Sequence, residues 1–227
     1  MDDRSPDGTA DRVRSQQCED RQLHLLEGEK CGLGRAYSRG FLYALEQLSA
    51  DLVCEMDADF SHCPEDLPRL FEAITEGADF VIGSRYVEGG ETPPDWGWWR
   101  STLSREGNRL ARCVAGVETV RDCTAGFRVI RADVLRRLPF ERLTVKGYAF
   151  QIALLVEAKK RGAVVREVPV SFIERTHGTS KLGWSDIVEF GWFSLELGLH
   201  RWRGEQPSAS GFHRALNFAR RFSRSNR

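Results

Sequence analysis

Short apolar runs alternate along this chain with stretches where apolar residues return every three or four positions. Residues 52–54 and 80–83 are short apolar runs, the pattern of buried strands, the first read as a strand over 52–56. Tyr37, Phe41, Leu45 and Leu48 follow Gly32-Leu33-Gly34 and mark one face of a helix. Residues 10–17, 67–74, 100–114 and a segment from Lys146 to near Arg161 read as further helices. Residues 22–26 alternate weakly and predict a strand. Residues 164–173 predict another, placed at an edge because Pro169 cannot donate to a ladder. Strands alternating with amphipathic helices predict an α/β fold with a mostly parallel sheet flanked by helices. Ligands of such sheets collect at the carboxyl ends of the strands, where Asp59, Arg85 and the loop around Asp3 fall.

Residues 87–99 break the alternation. Their glycines and prolines predict a long loop carrying Trp96, Trp98 and Trp99. Two readings stand side by side: the indoles fold back onto the core, or they form a lid or a membrane-interface anchor. Residues 174–181 form a polar basic loop. Residues 184–199 predict an amphipathic helix, and Phe212, Leu216, Ala219 and Phe222 recur at helical spacing among arginines.

A chain of 227 residues suffices for one substantial domain. Its 33 basic and 33 acidic residues argue for no polyanionic partner overall. Residues 200–227, however, hold seven Arg and one Glu, a basic tail suited to anionic headgroups or simply to solubility. These charges come without a nucleic-acid recognition motif, which argues against that class of partner. The six cysteines form no Cys-x-x-Cys pair and read as reduced packing residues. No apolar run reaches membrane-spanning length: residues 184–199 contain Asp186, Glu189 and Glu196. No secretory signal opens the sequence, so membrane contact is expected to be peripheral.

The chemistry concentrates in residues 54–62, Cys-Glu-Met-Asp-Ala-Asp-Phe-Ser-His. Side chains at i and i+2 of a strand share a face, which would set Asp57 beside Asp59 at the sheet rim. Adjacent carboxylates repel unless a proton or cation relieves them. Hard oxygen ligands suit Mg²⁺ or Mn²⁺ holding a substrate diphosphate. The chain shows no evident His–carboxylate catalytic pair. That fits a nucleophile arriving already charged, such as a phosphate monoester with a second pKa of about 6. His62 and His177 read as loop hydrogen-bonders.

Seven strings occur in a fixed order: Asp-Asp-Arg-Ser-Pro-Asp-Gly-Thr at 2–9, Gly-Leu-Gly at 32–34, Glu-Met-Asp-Ala-Asp-Phe-Ser-His at 55–62, Gly-Ser-Arg-Tyr at 83–86, Thr-Ala-Gly-Phe-Arg at 124–128, Lys-Gly-Tyr-Ala-Phe-Gln at 146–151 and His-Gly-Thr-Ser-Lys at 177–181. Together they resemble the polyprenol-phosphate (dolichol-phosphate) mannosyltransferases among the inverting family 2 glycosyltransferases. The resemblance spans roughly residues 2–190. It implies a glycosyltransferase-A fold over residues 1–183, with 184–227 as C-terminal amphipathic helices and basic tail. It implies mannose transfer from GDP-mannose to a polyprenyl phosphate with inversion, in the service of protein glycosylation.

By the same resemblance, Asp57 and Asp59 hold Mg²⁺ or Mn²⁺ and the donor diphosphate, with Ser61 contributing an oxygen. Asp3 meets the nucleotide. Arg85, Arg100, Ser104 and Arg175 meet the acceptor phosphate, while Asp122, Gln151 and Lys181 lie near the sugar or lid. The catalytic set is Asp57, Asp59, Arg85 and Arg175; Lys181 joins Asp3, Asp57 and Ser61 at the donor. The implied location is the cytoplasmic face of a membrane, held peripherally, and the resemblance leaves open whether a membrane-spanning subunit is a partner. The family's usual first strand and helix, with their nucleotide loop, have no counterpart before Asp2. The expectation is therefore an N-terminally truncated domain that binds donor weakly. Two other readings are kept: a UDP-glucose-dependent polyprenyl-phosphate glycosyltransferase, and a truncated, non-catalytic, membrane-associated remnant.

Overall fold

A computed structural model describes residues 1–93, 96–143 and 147–173. The elements in chain order are α1 (Thr9–Gln17), α2 (Leu33–Glu46), β1 (Leu52–Glu55), α3 (Leu67–Thr75), β2 (Phe80–Ser84), α4 (Trp98–Ala115), β3 (Arg128–Arg131), α5 (Ala132–Arg136), α6 (Gly147–Lys160) and β4 (Val165–Pro169). Short 3-10 turns at Pro64–Asp66 and Phe140–Arg142 lead into α3 and follow α5.

The four strands lie in the order β1-β3-β2-β4. β2 is buried along its whole length because both faces are covered. Phe80 and Ile82 point to one side, into a core with Phe41 of α2, Ala111 of α4 and the apolar residues of α6. Val81 points to the other side, against Leu70, Ala73 and Ile74 of α3. β3 splits likewise, Ile130 to the first core and Val129 to the second. This is the period of two of a strand, with a helical layer on each face.

The parallel-sheet expectation needs one correction. β3 pairs antiparallel with both β1 and β2, and only β2 with β4 is parallel. Hence β1, β2 and β4 run the same way and β3 runs against them. The sheet is mixed because a late strand fills the slot between β1 and β2, and a four-residue apolar run carries no mark of its direction. β4 is an edge of the described sheet, as Pro169 predicted.

Three local expectations also change. Residues 22–26 form no strand; this stretch ends in a single bridge between Asp2 and Glu27. α4 begins at Trp98, so that indole stands on a helix rather than in the loop. Trp98 is 76% exposed, whereas Trp96 packs edge-on against Phe172 at 6.0 Å. Trp96 thus folds back onto the core as the first reading expects, while Trp98 does not. All six cysteines are free, but only Cys123 is buried. Gly90 sits where a side chain cannot: an added Cβ would lie 2.5 Å from the Ser84 carbonyl oxygen. Among the described residues no helix is long and apolar enough to cross a membrane.

Candidate active site

The carboxyl ends of β1, β2 and β4 and the start of β3 meet at one rim. β1 stops at Glu55, two residues short of Asp57. Strand alternation therefore does not set the two aspartates; a turn does. Phe60, 71% exposed, takes a left-handed backbone with φ 60°. A bulky residue adopts that region only at a cost of about 1–2 kcal/mol. In return Asp59 turns back onto Ser61, its Oδ1 accepting from the Ser61 amide at 3.1 Å and the Ser61 hydroxyl at 2.5 Å. Ser61 is fully buried, so its hydroxyl steadies Asp59.

Asp57 is fixed through its backbone. Its N–H donates to His62 Nδ1 at 3.0 Å. An accepting Nδ1 carries no proton, so the imidazole is the neutral Nε2–H tautomer. Burial agrees, lowering the His62 pKa against the pull of Asp57 and Asp59. The ring stacks on Phe127 at 5.0 Å and meets Phe172 edge-on at 5.4 Å. The chain after β4 closes over it: His62 bridges Phe172, and the Ile173 amide donates to the Ser61 carbonyl at 3.0 Å. His62 is a loop hydrogen-bonder, and its partner is the Asp57 backbone.

At the end of β2, Arg85 grips Asp122 in a two-point pair, Nε to Oδ2 at 2.7 Å and Nη2 to Oδ1 at 2.8 Å. The Arg85 amide donates to the same carboxylate at 3.1 Å. Asp122 is wholly buried and the Arg85 side chain is 12% exposed. Burial opposes ionisation of Asp122, but the Arg85 charge and hydrogen bonds outweigh it and hold the carboxyl below its usual range. Thr124 and Asn108 complete the corner: Thr124 Oγ1 accepts from Arg85 Nη2 and from Asn108 Nδ2. Asn108 Oδ1 in turn accepts from the Cys123 amide. Ser104 shares a 2.6 Å hydrogen bond with the Tyr86 hydroxyl, and Arg100 lies in the first turn of α4. Arg85 lies over the Phe172 ring at 5.4 Å, the same ring that meets His62 edge-on, so the aspartate loop and this arginine meet at one aromatic cluster.

Beneath the rim lies a buried polar group absent from the candidate residues except for Gln151. Arg128, with no exposed surface, donates to the Gln151 and Cys123 carbonyls at 2.9 and 3.0 Å. Gln151 donates to Glu55 at 2.9 Å. Burial pushes the Glu55 pKa up to about 7, against the charge of Arg128 and the Gln151 hydrogen bond. Glu55 Oε1 and Gln151 Oε1 are buried without a hydrogen-bond partner. An arginine in a strand normally signals an exposed position, which is why the sequence hid this cation. Asp3 lies against α2, its Oδ1 2.5 Å from Arg39 Nη2. Arg175 and Lys181 lie outside the described residues.

The aspartate pair fits a divalent cation. Among the described residues the Asp57 carboxylate accepts no hydrogen bond and is half-buried, while Asp59 is oriented by Ser61. No group of three or more His, Cys, Asp or Glu side chains forms a cage among the described residues. Two carboxylates without a cage are what Mg²⁺ or Mn²⁺ uses when substrate phosphates and water complete its shell. His62 then orients the backbone that carries the candidate ligand Asp57. Replacing it by Asn, whose Oδ1 can stand in for Nδ1, is expected to preserve Mn²⁺ affinity. Phe keeps the ring stack and loses the acceptor, and is expected to weaken Mn²⁺ binding about tenfold. Equal affinities measured by calorimetry would assign His62 to packing alone.

Comparison with known proteins bears on this rim. The profile of glycosyl transferase family 2 matches residues 1–138. A polyprenol monophosphomannose synthase of Mycolicibacterium smegmatis is 42% identical over 215 residues, covering 93% of this chain and 78% of its own. An undecaprenyl-phosphate mannosyltransferase of Micrococcus luteus is 42% identical over 190 residues, covering 83% and 76%. Among solved structures, glucosyl-3-phosphoglycerate synthase from Mycobacterium tuberculosis, in complex with Mn²⁺ and UDP-glucose, superposes with a TM-score of 0.55 at 20% identity. That match covers 91% of this chain and 67% of the other. The fold is the glycosyltransferase-A type, here a mixed sheet flanked by helices.

Proposed function

The chain belongs to glycosyl transferase family 2, and from that premise we propose that it transfers mannose from GDP-mannose to a polyprenyl phosphate with inversion at the anomeric carbon. The observation that carries the reading is the rim itself, where the Asp57–Asp59 turn, held by His62 and Ser61, and the clamped Arg85 meet at the Phe172 ring. The names of the two bacterial relatives support mannose and a polyprenyl phosphate as the transferred sugar and its acceptor.

One oxygen of the acceptor phosphate, already anionic near neutral pH, attacks the anomeric carbon. The bond from that carbon to the donor diphosphate breaks, and its electron pair leaves with the nucleoside diphosphate. No proton moves, so no general base is required. The buried, neutral His62 is correspondingly spent on the Asp57 amide. Asp57 and Asp59 would hold Mg²⁺ or Mn²⁺, which when bound neutralises the charge growing on the leaving diphosphate. Ser61 orients Asp59. Asp122 and Thr124 hold the guanidinium of Arg85 in a fixed orientation at the end of β2, and in this proposal that guanidinium meets the acceptor phosphate. Arg100, Ser104 and Arg175 join Arg85 in the proposal, and Asp3 and Lys181 serve the donor. The reaction would take place at the cytoplasmic face of a membrane.

The donor base is decided by competition. With a polyprenyl phosphate as acceptor, GDP-mannose is expected to exceed UDP-glucose and UDP-mannose in kcat/KM by more than about a hundredfold. A preference for either UDP-sugar would replace the guanine reading.

A further inference from the structure

α4 carries a row of large polar and aromatic residues outside the apolar core. Trp98, Thr102, Arg105, Arg109 and Arg112 recur at i+4, i+3, i+4 and i+3, so they align along one side of the helix. A flanking side of the helix does the packing, with Ala111 fully buried and Asn108 3% exposed. Trp98 is 76% exposed and the Arg109 side chain 69%. Arg121, just past the helix, adds a fourth arginine to an open groove of about 780 Å³. Among the described residues lining the groove, Glu106 and Glu118 alone carry negative charge, and Glu106 stands 4.0 Å from Arg109.

The groove runs into the acceptor corner of the rim. Arg85 and Tyr86 line its end, Arg105 lies over the Tyr86 ring at 6.0 Å, and Tyr86 bonds Ser104 on the same helix. From Trp98 to Arg112 the row extends about 21 Å. It is too spread out to converge on one anion and matches a charged plane instead.

We infer that this face of α4 docks on an anionic phospholipid surface. The arginines meet headgroup phosphates, and Trp98 enters the interface, where indoles are favoured. Docking so places Ser104, Tyr86 and Arg85 at the bilayer, where a polyprenyl phosphate offers its headgroup. In that last respect the inference rests on the polyprenyl-phosphate reading.

The test compares the full chain with the triple variant Arg105→Gln/Arg109→Gln/Arg112→Gln. Sedimentation is measured with vesicles of phosphatidylcholine alone and of phosphatidylcholine containing phosphatidylglycerol. The parent is expected to bind the anionic vesicles in a salt-sensitive way, and the variant at least about tenfold more weakly, since each basic residue near such a surface counts roughly fivefold. Both should bind neutral vesicles equally poorly. Transfer to a short-chain, water-soluble polyprenyl phosphate should be unchanged, while transfer to a long-chain one embedded in anionic vesicles should fall. Undiminished vesicle binding by the variant overturns the inference. So does an equal loss on both acceptors, which would assign the arginines to the active site. If neither acceptor takes sugar from the parent, the functional reading fails, and the sedimentation arm still decides the docking face.

Discussion

Asp57→Ala and Asp59→Asn are each expected to lower the rate of sugar transfer by about a thousandfold with the fold intact. Each removes one of two carboxylates proposed to hold the cation against the leaving diphosphate, where charge stabilisation supplies several kcal/mol of the barrier. Asp57 loses no side-chain hydrogen bond on truncation, because its loop is held by the backbone bond to His62. Asp59 requires more care. Its Oδ1 accepts twice from buried Ser61, and alanine would orphan those donors at a cost of about 1–3 kcal/mol. Asparagine keeps an acceptor and removes the charge, which separates chemistry from stability. The measurement is kcat/KM under titrated Mn²⁺ or Mg²⁺, with a thermal melt alongside. Variants within tenfold of the parent, with unchanged metal dependence, would remove the aspartates from the mechanism.

Asp122→Ala has the largest expected effect on stability. The Arg85 guanidinium, 12% exposed, would lose its two-point partner while remaining nearly buried. Breaking such a pair from one side costs about 3–5 kcal/mol. Leu in place of Arg85 together with Ala at Asp122 should recover part of that loss, since an apolar pair avoids the stranded charge. The effect depends on pH in a definite direction. Folding lowers the Asp122 pKa below its ordinary 3.8. The ion pair therefore contributes fully above that value, and its contribution vanishes as pH falls through the lower folded pKa. Urea midpoints of parent and Asp122→Ala should differ widely at neutral pH and converge in strong acid. A constant gap would mean that the loss is one of shape and not of charge.

Much of the scaffold was legible because burial writes a period into sequence. α2 and α3 were announced by their apolar spacing, and β2 by an apolar run that is buried on both faces. What failed was pairing. Asp2–Glu27 is a lone bridge where a strand was expected, and nothing in residues 128–131 signals a reversed strand. The candidate site was legible in residue types, not in contacts. Arg85 and Asp122 are 37 residues apart and were assigned separately, yet they form one ion pair. The two aspartates were placed by strand alternation, but a left-handed Phe60, Ser61 and His62 hold them. Arg128 and Glu55 escaped because charged residues rarely report their own burial.

The reversed position of β3 also dictates when the domain can be completed. β1 and β2 are separated by fewer than thirty residues of chain, yet neither hydrogen-bonds the other; both wait for residues 128–131. A nascent chain emerging from the ribosome as far as β2 thus exposes two apolar ribbons with nothing between them. Their closure depends on contacts distant in sequence, which slow folding and lengthen exposure to aggregation. Synthesis of this protein should accordingly lean on chaperones through that interval, and slowing translation between β2 and β3 should lower its soluble yield.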